Sequence, residues 1–166
     1  GGLGEEGARM GKGRGVGGVA VGSSAEKLGA GKELGAEETG TGGDRAGKDI
    51  VARGGAHGCV NFAPVAATWP MMLDACNPRA RIVLTAVPAE EMSFYTYQVV
   101  ERGLTVVGSS ASNRQEMNEV LALAASGHVK GVINTVPFEE INAALTALND
   151  GLVEGRTVLI MTNGDN

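Results

Sequence analysis

Short valine-rich runs alternating with helical stretches constrain this chain more than any other feature. Gly58–Phe62, Arg81–Val87, Leu104–Gly108, Val132–Val136 and Arg156–Ile160 read as strands. Between them the helix signals are local and physical. Thr68–Cys76 carries Pro70 in its first turn, where a missing N–H is tolerated. Asn77-Pro78 then reads as a turn. Tyr95–Arg102 is followed by Gly103, a helix-ending residue. Ser112 with Gln115 has the form of a capping box, and Met117, Val120, Leu121 and Ala124 behind it make one apolar stripe that ends at Gly127. Pro137 opens a last helix with Phe138, Ile141, Ala144, Leu145 and Leu148 on one side, and Asn149–Gly151 turns the chain. Apolar strands alternating with helices predict βαβ units on a parallel sheet.

The first third is harder to read because 20 of the 27 glycines lie in residues 1–58. Interior glycines weaken helices and strands by roughly 0.5–1 kcal/mol each, so this part is expected to be the softest. Gly4–Lys12 still reads as a helix entered from a glycine turn, and Val16–Val21 as a buried strand. Ser23 to Glu26 has the form of a capping box, and its helix runs through Leu28 to Gly35. Residues 37–49 are polar and glycine-rich, with a helical turn at Asp49–Val51. The polar tail Thr162–Asn166 is expected to fray.

Composition excludes several classes. A net charge of -5 argues against a nucleic-acid partner, which usually requires a basic face. No apolar run approaches the 18 or so residues that span a bilayer. Cys59 and Cys76 stand at no metal-ligand spacing, and with no secretory signal they read as reduced, packed thiols of a cytoplasmic protein. His57 and His128 stand alone. No catalytic set and no metal set is legible.

Gly1-Gly2-Leu3-Gly4 ahead of a helix has the form of the end of a dinucleotide fingerprint, in which backbone N–H groups at a helix N-terminus meet a pyrophosphate. Read onward, the chain resembles the C-terminal nucleotide-binding half of the zinc-dependent, medium-chain alcohol dehydrogenases. The matching pieces are Gly1–Gly4, Lys12, Gly15, Val19–Val21, Ser23-Ser24, Glu26–Leu28 and Lys32–Ala36. Gly54–Gly58, Arg81–Leu84 with Pro88, Arg102–Ser109 with Asn113-Arg114, Phe138–Asn142 and Gly155–Leu159 follow in order.

The resemblance implies an α/β, doubly wound, Rossmann-like parallel sheet with its first strand missing. It implies a single nucleotide-binding domain over 1–166, with 132–166 as the family's closing segment. It places Gly1, Gly2, Leu3, Gly4 and Arg156 at the pyrophosphate, and a guanidinium fork suits a phosphate. Phe62, Ala63 and Pro64 would flank the ribose, and Thr85, Ala86, Val87, Ser109 and Ser110 would hold the nicotinamide amide. The acid that usually binds the adenosine ribose is replaced by Gly22. That removes the repulsion against a 2′-phosphate, which Ser23, Ser24 and Lys27 would receive, so NADP is slightly favoured while NAD stays open. Met92–Phe94 corresponds to the segment through which the family forms dimers.

Two departures run against nucleotide binding. Gly7, Gly11 and Gly13 replace expected alanines in the first helix, and Glu5-Glu6 put negative charge near the phosphate place. The family's zinc ligands belong to a catalytic half that this chain is expected to lack, so no catalytic or metal residue is assigned here. The implied function is cofactor binding for hydride transfer with an alcohol or aldehyde in a homo-oligomer. The alternatives are a stand-alone, non-catalytic nucleotide-binding module, or a structural or interaction protein on the same fold that has lost the cofactor.

Overall fold

The computed structural model describes residues 2–23, 25–42 and 44–161. Strands and helices alternate along the described chain. The order is α1 (Gly2–Gly13), β1 (Val19–Gly22), α2 (Ala25–Glu33), β2 (Glu38–Thr41), α3 (Asp44–Ala52), β3 (Ala56–Asn61), α4 (Thr68–Ala75) and β4 (Cys76–Leu84). It continues with α5 (Thr96–Arg102), β5 (Thr105–Gly108), α6 (Arg114–Ala125), β6 (Ile133–Pro137), a 3-10 turn at Phe138–Glu140, α7 (Ile141–Asn149) and β7 (Arg156–Ile160).

Every strand pairing is parallel: β1 with β2, β3 with β4, β4 with β5, and β6 with β7. Parallel pairs joined by helices are the Rossmann-like arrangement expected of the sequence. The strands form three separate groups, β1-β2, β3-β4-β5 and β6-β7. β1 and β3 are not hydrogen-bonded to each other, and no described strand lies between them.

The core lies between α4 and the middle group of strands. Trp69, Met72, Leu73, Cys76, Ala80, Ile82 and Leu104 are buried together, and Cys59, Met71, Leu84, Met92 and Val99 pack against them. Trp69 meets Phe94 edge-on, with ring centroids 5.3 Å apart. The apolar run of β4 supplies the centre: Ile82 is fully buried. Burying such a side chain contributes on the order of 1.5–3 kcal/mol. Arg102 ties this core to α5. It donates to the carbonyls of Leu73 at 2.7 Å and Cys76 at 3.4 Å, so a cation closes the C-terminal end of α4.

Several local expectations are corrected. Residues 37–49, expected as irregular, contain β2 and most of α3. β1 begins at Val19 rather than Val16. β4 begins at Cys76, so Asn77 and Pro78 lie within it, and it ends at Leu84. Its pairing with β3 shifts register between Ala56 and Gly58. The cap of α6 is Asn113 with Glu116, one residue beyond Ser112 and Gln115, with both reciprocal bonds present. A carboxylate accepts the cap N–H more strongly than an amide. Pro137 both ends β6 and caps the 3-10 turn Phe138–Glu140 that leads into α7, so the last helix opens there as expected, first as a 3-10 turn. The expected box over Ser23–Glu26 involves Ser24 and the Glu26 side chain, and these, with the tail 162–166, lie outside what is described.

Candidate functional site

Two ends of the chain meet at the start of α1. The first turn of a helix leaves backbone N–H groups without intrahelical partners, and these favour an anion. The Arg156 guanidinium stands directly over Gly2: a Cβ built there would lie 2.8 Å from Arg156 Cζ. β7 delivers this arginine. The Arg156 N–H donates to the Val132 carbonyl at 2.8 Å, at the entrance to the β6-β7 pair. Glycine at position 2 leaves the guanidinium room, so a fork of donors lies beside the first turn of the helix.

Phe62 packs on the same helix. It follows β3, and its ring lies against Gly4 and Gly7 of α1. A Cβ at Gly7 would sit 2.8 Å from Phe62 Cε2, and one at Gly4 would sit 3.9 Å from Cδ2. The glycine at position 7 therefore has a partner that fills the volume an alanine methyl would take. Glu6 pairs with Arg9 at 3.8 Å, which offsets part of the negative charge in this helix.

The carboxyl ends of β3, β4 and β5 lie side by side. Asn61, Leu84 and Gly108 occupy neighbouring registers. Asn61 is the hub of this edge and is buried. Its carbonyl accepts from the N–H groups of Thr85 and Ala86, each at 3.2 Å, and from the Thr85 hydroxyl. Its side-chain oxygen accepts from the Ala63 N–H at 2.8 Å, and its amide donates to Thr68 Oγ1 at 3.2 Å. The Ser109 N–H donates to the Leu84 carbonyl at 2.8 Å. Sequence reasoning read Asn61 only as part of a strand. The available signal was a lone amide at the end of an apolar strand, since a buried amide must find partners for both its oxygen and its nitrogen.

The expected site residues thus fall in three places. Gly2, Gly4, Phe62 and Arg156 converge on α1. Leu3, in the same turn, is exposed. Thr85, Ala86, Val87, Ser109 and Ser110 follow directly after β4 and β5, on the same sheet edge as Phe62. Gly22 ends β1, apart from both groups in the strand order, and a Cβ there would lie 3.2 Å from Leu28 Cδ2. Its carbonyl accepts from the Gly42 N–H at 2.8 Å. Ser23 follows it and is exposed. Gly1, Ser24 and the Lys27 side chain lie outside what is described.

Among the described residues, no three His, Cys, Asp or Glu side chains come together as a metal would require. His57 is exposed in β3, and His128 Nδ1 shares a hydrogen bond with Ser126 Oγ at 2.8 Å. No described helix is long and apolar enough to cross a membrane.

An alcohol dehydrogenase of Geobacillus stearothermophilus is 32% identical over 161 residues, which are 96% of this chain and 48% of that protein. The chain spans about half the length of the curated relatives it matches. The crystal structure of AibC superposes with a TM-score of 0.91 at 28% identity, over 98% of this chain and 47% of that one. The alcohol dehydrogenase of the archaeon Aeropyrum pernix superposes with a TM-score of 0.89 at 27% identity, over 96% of this chain and 47% of that one. Residues 2–126, from the helix beneath Arg156 to the end of α6, match the family described as zinc-binding dehydrogenase, and the chain belongs to that family.

Proposed function

We propose that this chain is the nicotinamide-nucleotide-binding part of an NAD(P)-dependent alcohol dehydrogenase. One observation carries the reading: the Arg156 guanidinium over Gly2, which joins a bidentate phosphate donor to a helix N-terminus. The names of the relatives support the choice of an alcohol dehydrogenase.

The residues have distinct tasks. The N–H groups of the first turn of α1, with Gly1 to Gly4, receive the pyrophosphate, and Arg156 clamps it. Phe62 shields the ribose side from water. The chain after β4 and β5 (Thr85, Ala86, Val87, Ser109 and Ser110) holds the carboxamide of the nicotinamide, in the position where open α/β sheets bind ligands. A bound nicotinamide supplies the acceptor for the hydride leaving the alcohol carbon. The described residues do not fit a zinc site.

Gly22 favours NADP over NAD, because no carboxylate at the end of β1 repels a 2′-phosphate and Ser23 and Lys27 follow it. Residues 1–166 act as one domain whose closing segment supplies Arg156. Met92–Phe94 forms the contact between copies of the chain in a homo-oligomer, and the protein works in the cytoplasm.

Titration of the purified chain with NADH and NADPH tests this, read as quenching of Trp69 and as heat. Saturable binding is expected, tighter for NADPH. Arg156→Ala should weaken both nucleotides on the order of 10–100-fold, the loss expected of a charge-assisted contact. Absence of binding to either nucleotide overturns the reading in favour of a protein that has lost its cofactor. Equal affinities, or preference for NAD, overturn the Gly22 argument alone.

A further inference from the structure

The thiols of Cys59 and Cys76 are neighbours in space, with Sγ to Sγ at 3.5 Å. They come from different elements: Cys59 lies in β3, and Cys76 stands where α4 ends and β4 begins. Cys76 is buried and Cys59 half-buried, and both belong to the cluster around Trp69. A disulfide requires the sulfurs to approach to about 2.05 Å. Closing the pair therefore brings the sulfurs about 1.5 Å nearer than they stand.

The surroundings are polarised as well as close. Arg102 donates to the Cys76 carbonyl at 3.4 Å and to the Leu73 carbonyl at 2.7 Å, so its guanidinium sits beside the Cys76 thiol. A neighbouring cation and an S–H donor both favour a thiolate. The two thiols share a hydrogen bond that either sulfur can donate, and this contact, with Arg102 beside it, favours the thiolate at Cys76 and holds its pKa below the ordinary range. The Cys59 proton is correspondingly retained.

We propose that Cys59 and Cys76 form a redox pair that a peroxide closes to an intramolecular disulfide and a thiol reductant reopens. The Cys76 thiolate attacks a peroxide oxygen, and the O–O bond breaks. Cys76 becomes a sulfenic acid, and the departing oxygen leaves as hydroxide or alkoxide. The Cys59 sulfur then attacks the Cys76 sulfur. The S–S bond forms, the S–O bond breaks, and the Cys59 proton leaves with the oxygen as water. Two electrons pass from the sulfur pair to the peroxide. Cys59 lies two residues before Asn61, so the bond ties the nucleotide-side edge of β3 to the end of α4.

The test is intact mass and peptide mapping of the chain after hydrogen peroxide, with and without dithiothreitol. The expected result is loss of two hydrogens, a linked Cys59–Cys76 peptide, disappearance of both titratable thiols, and full reversal by reductant. Retention of both free thiols at peroxide levels that oxidise exposed methionine overturns the proposal. So does accumulation of sulfinic acid without a disulfide. In Cys59→Ser, dimedone should trap a sulfenic acid on Cys76, and failure to trap it overturns the assigned order of attack. None of these readouts depends on nucleotide binding.

Discussion

The ring of Phe62 occupies the place where a side chain at Gly7 would lie, 2.8 Å from a Cβ built on that glycine. In an isolated helix, Gly7→Ala would gain roughly 0.5–1 kcal/mol. Here the added methyl must displace the ring, and overpacking costs typically about 1–3 kcal/mol. Gly7→Ala is therefore expected to destabilise the chain by about 1 kcal/mol in urea unfolding. In a Phe62→Ala background the same substitution should stabilise it. A double-mutant cycle checks the coupling, and additivity of the two changes would contradict it.

Gly2 and Arg156 make a second such pair. A methyl at Gly2 would meet the guanidinium, which is the movable end of a flexible side chain. Gly2→Ala should leave thermal stability nearly unchanged and still weaken nucleotide binding, because the fork is pushed off the helix axis. Loss of stability without loss of affinity would show that Arg156 serves packing alone.

Gly155 precedes Arg156 with φ of +68°, and a Cβ there would overlap the Val132 carbonyl oxygen. That carbonyl accepts the Arg156 N–H. Gly155→Ala combines left-handed strain with a backbone collision and should cost roughly 2–5 kcal/mol. Amide exchange should rise selectively in β6 and β7, since those two strands pair only with each other among the described strands.

The thiol pair predicts a pH dependence of stability. The ordinary thiol value is 9.0. Cys76 is depressed, so below 9.0 the unfolded chain binds more protons at this site, and its contribution is lost as pH falls through the folded value. Cys59 is raised, so above 9.0 the folded chain holds a proton that the unfolded chain has lost, and its contribution fades as pH rises. The joint contribution peaks near 9.0. Unfolding free energies from pH 7 to 10, compared with Cys59→Ala, check this: the wild-type protein should show the maximum and the variant should not.

The middle of the fold was legible because β4 and β5 carry apolar runs at Ile82–Leu84 and Val106-Val107 that end in turn signals, although the Asn77-Pro78 signal lies inside β4. β2 was not. Its residues Glu38, Thr39, Gly40 and Thr41 carry no apolar period, since a four-residue strand paired on one side only has little to bury. α3 was hidden by Gly47, a poor helix former whose value appears only in three dimensions. A Cβ there would lie 2.9 Å from the Met71 carbonyl oxygen, so glycine lets α3 approach α4. Gly7 likewise finds its packing partner, the Phe62 ring, only in three dimensions. Glycine costs are written in local sequence, while the side chain or backbone that occupies the vacated space comes from far along the chain. In the candidate site, resemblance placed Arg156 and Phe62. Asn61 escaped notice because a strand pattern does not reveal which amide is buried.

The contact between Gly2 and Arg156 joins positions nearly a full chain length apart. Closing so long a loop is entropically late, because local βαβ units form their contacts first. Arg156 therefore reaches α1 only when the closing strand pair docks. On the proposed reading, acquisition of nucleotide affinity during refolding should lag the recovery of Trp69 fluorescence from the central core, which would make ligand binding a clock for the last step of assembly.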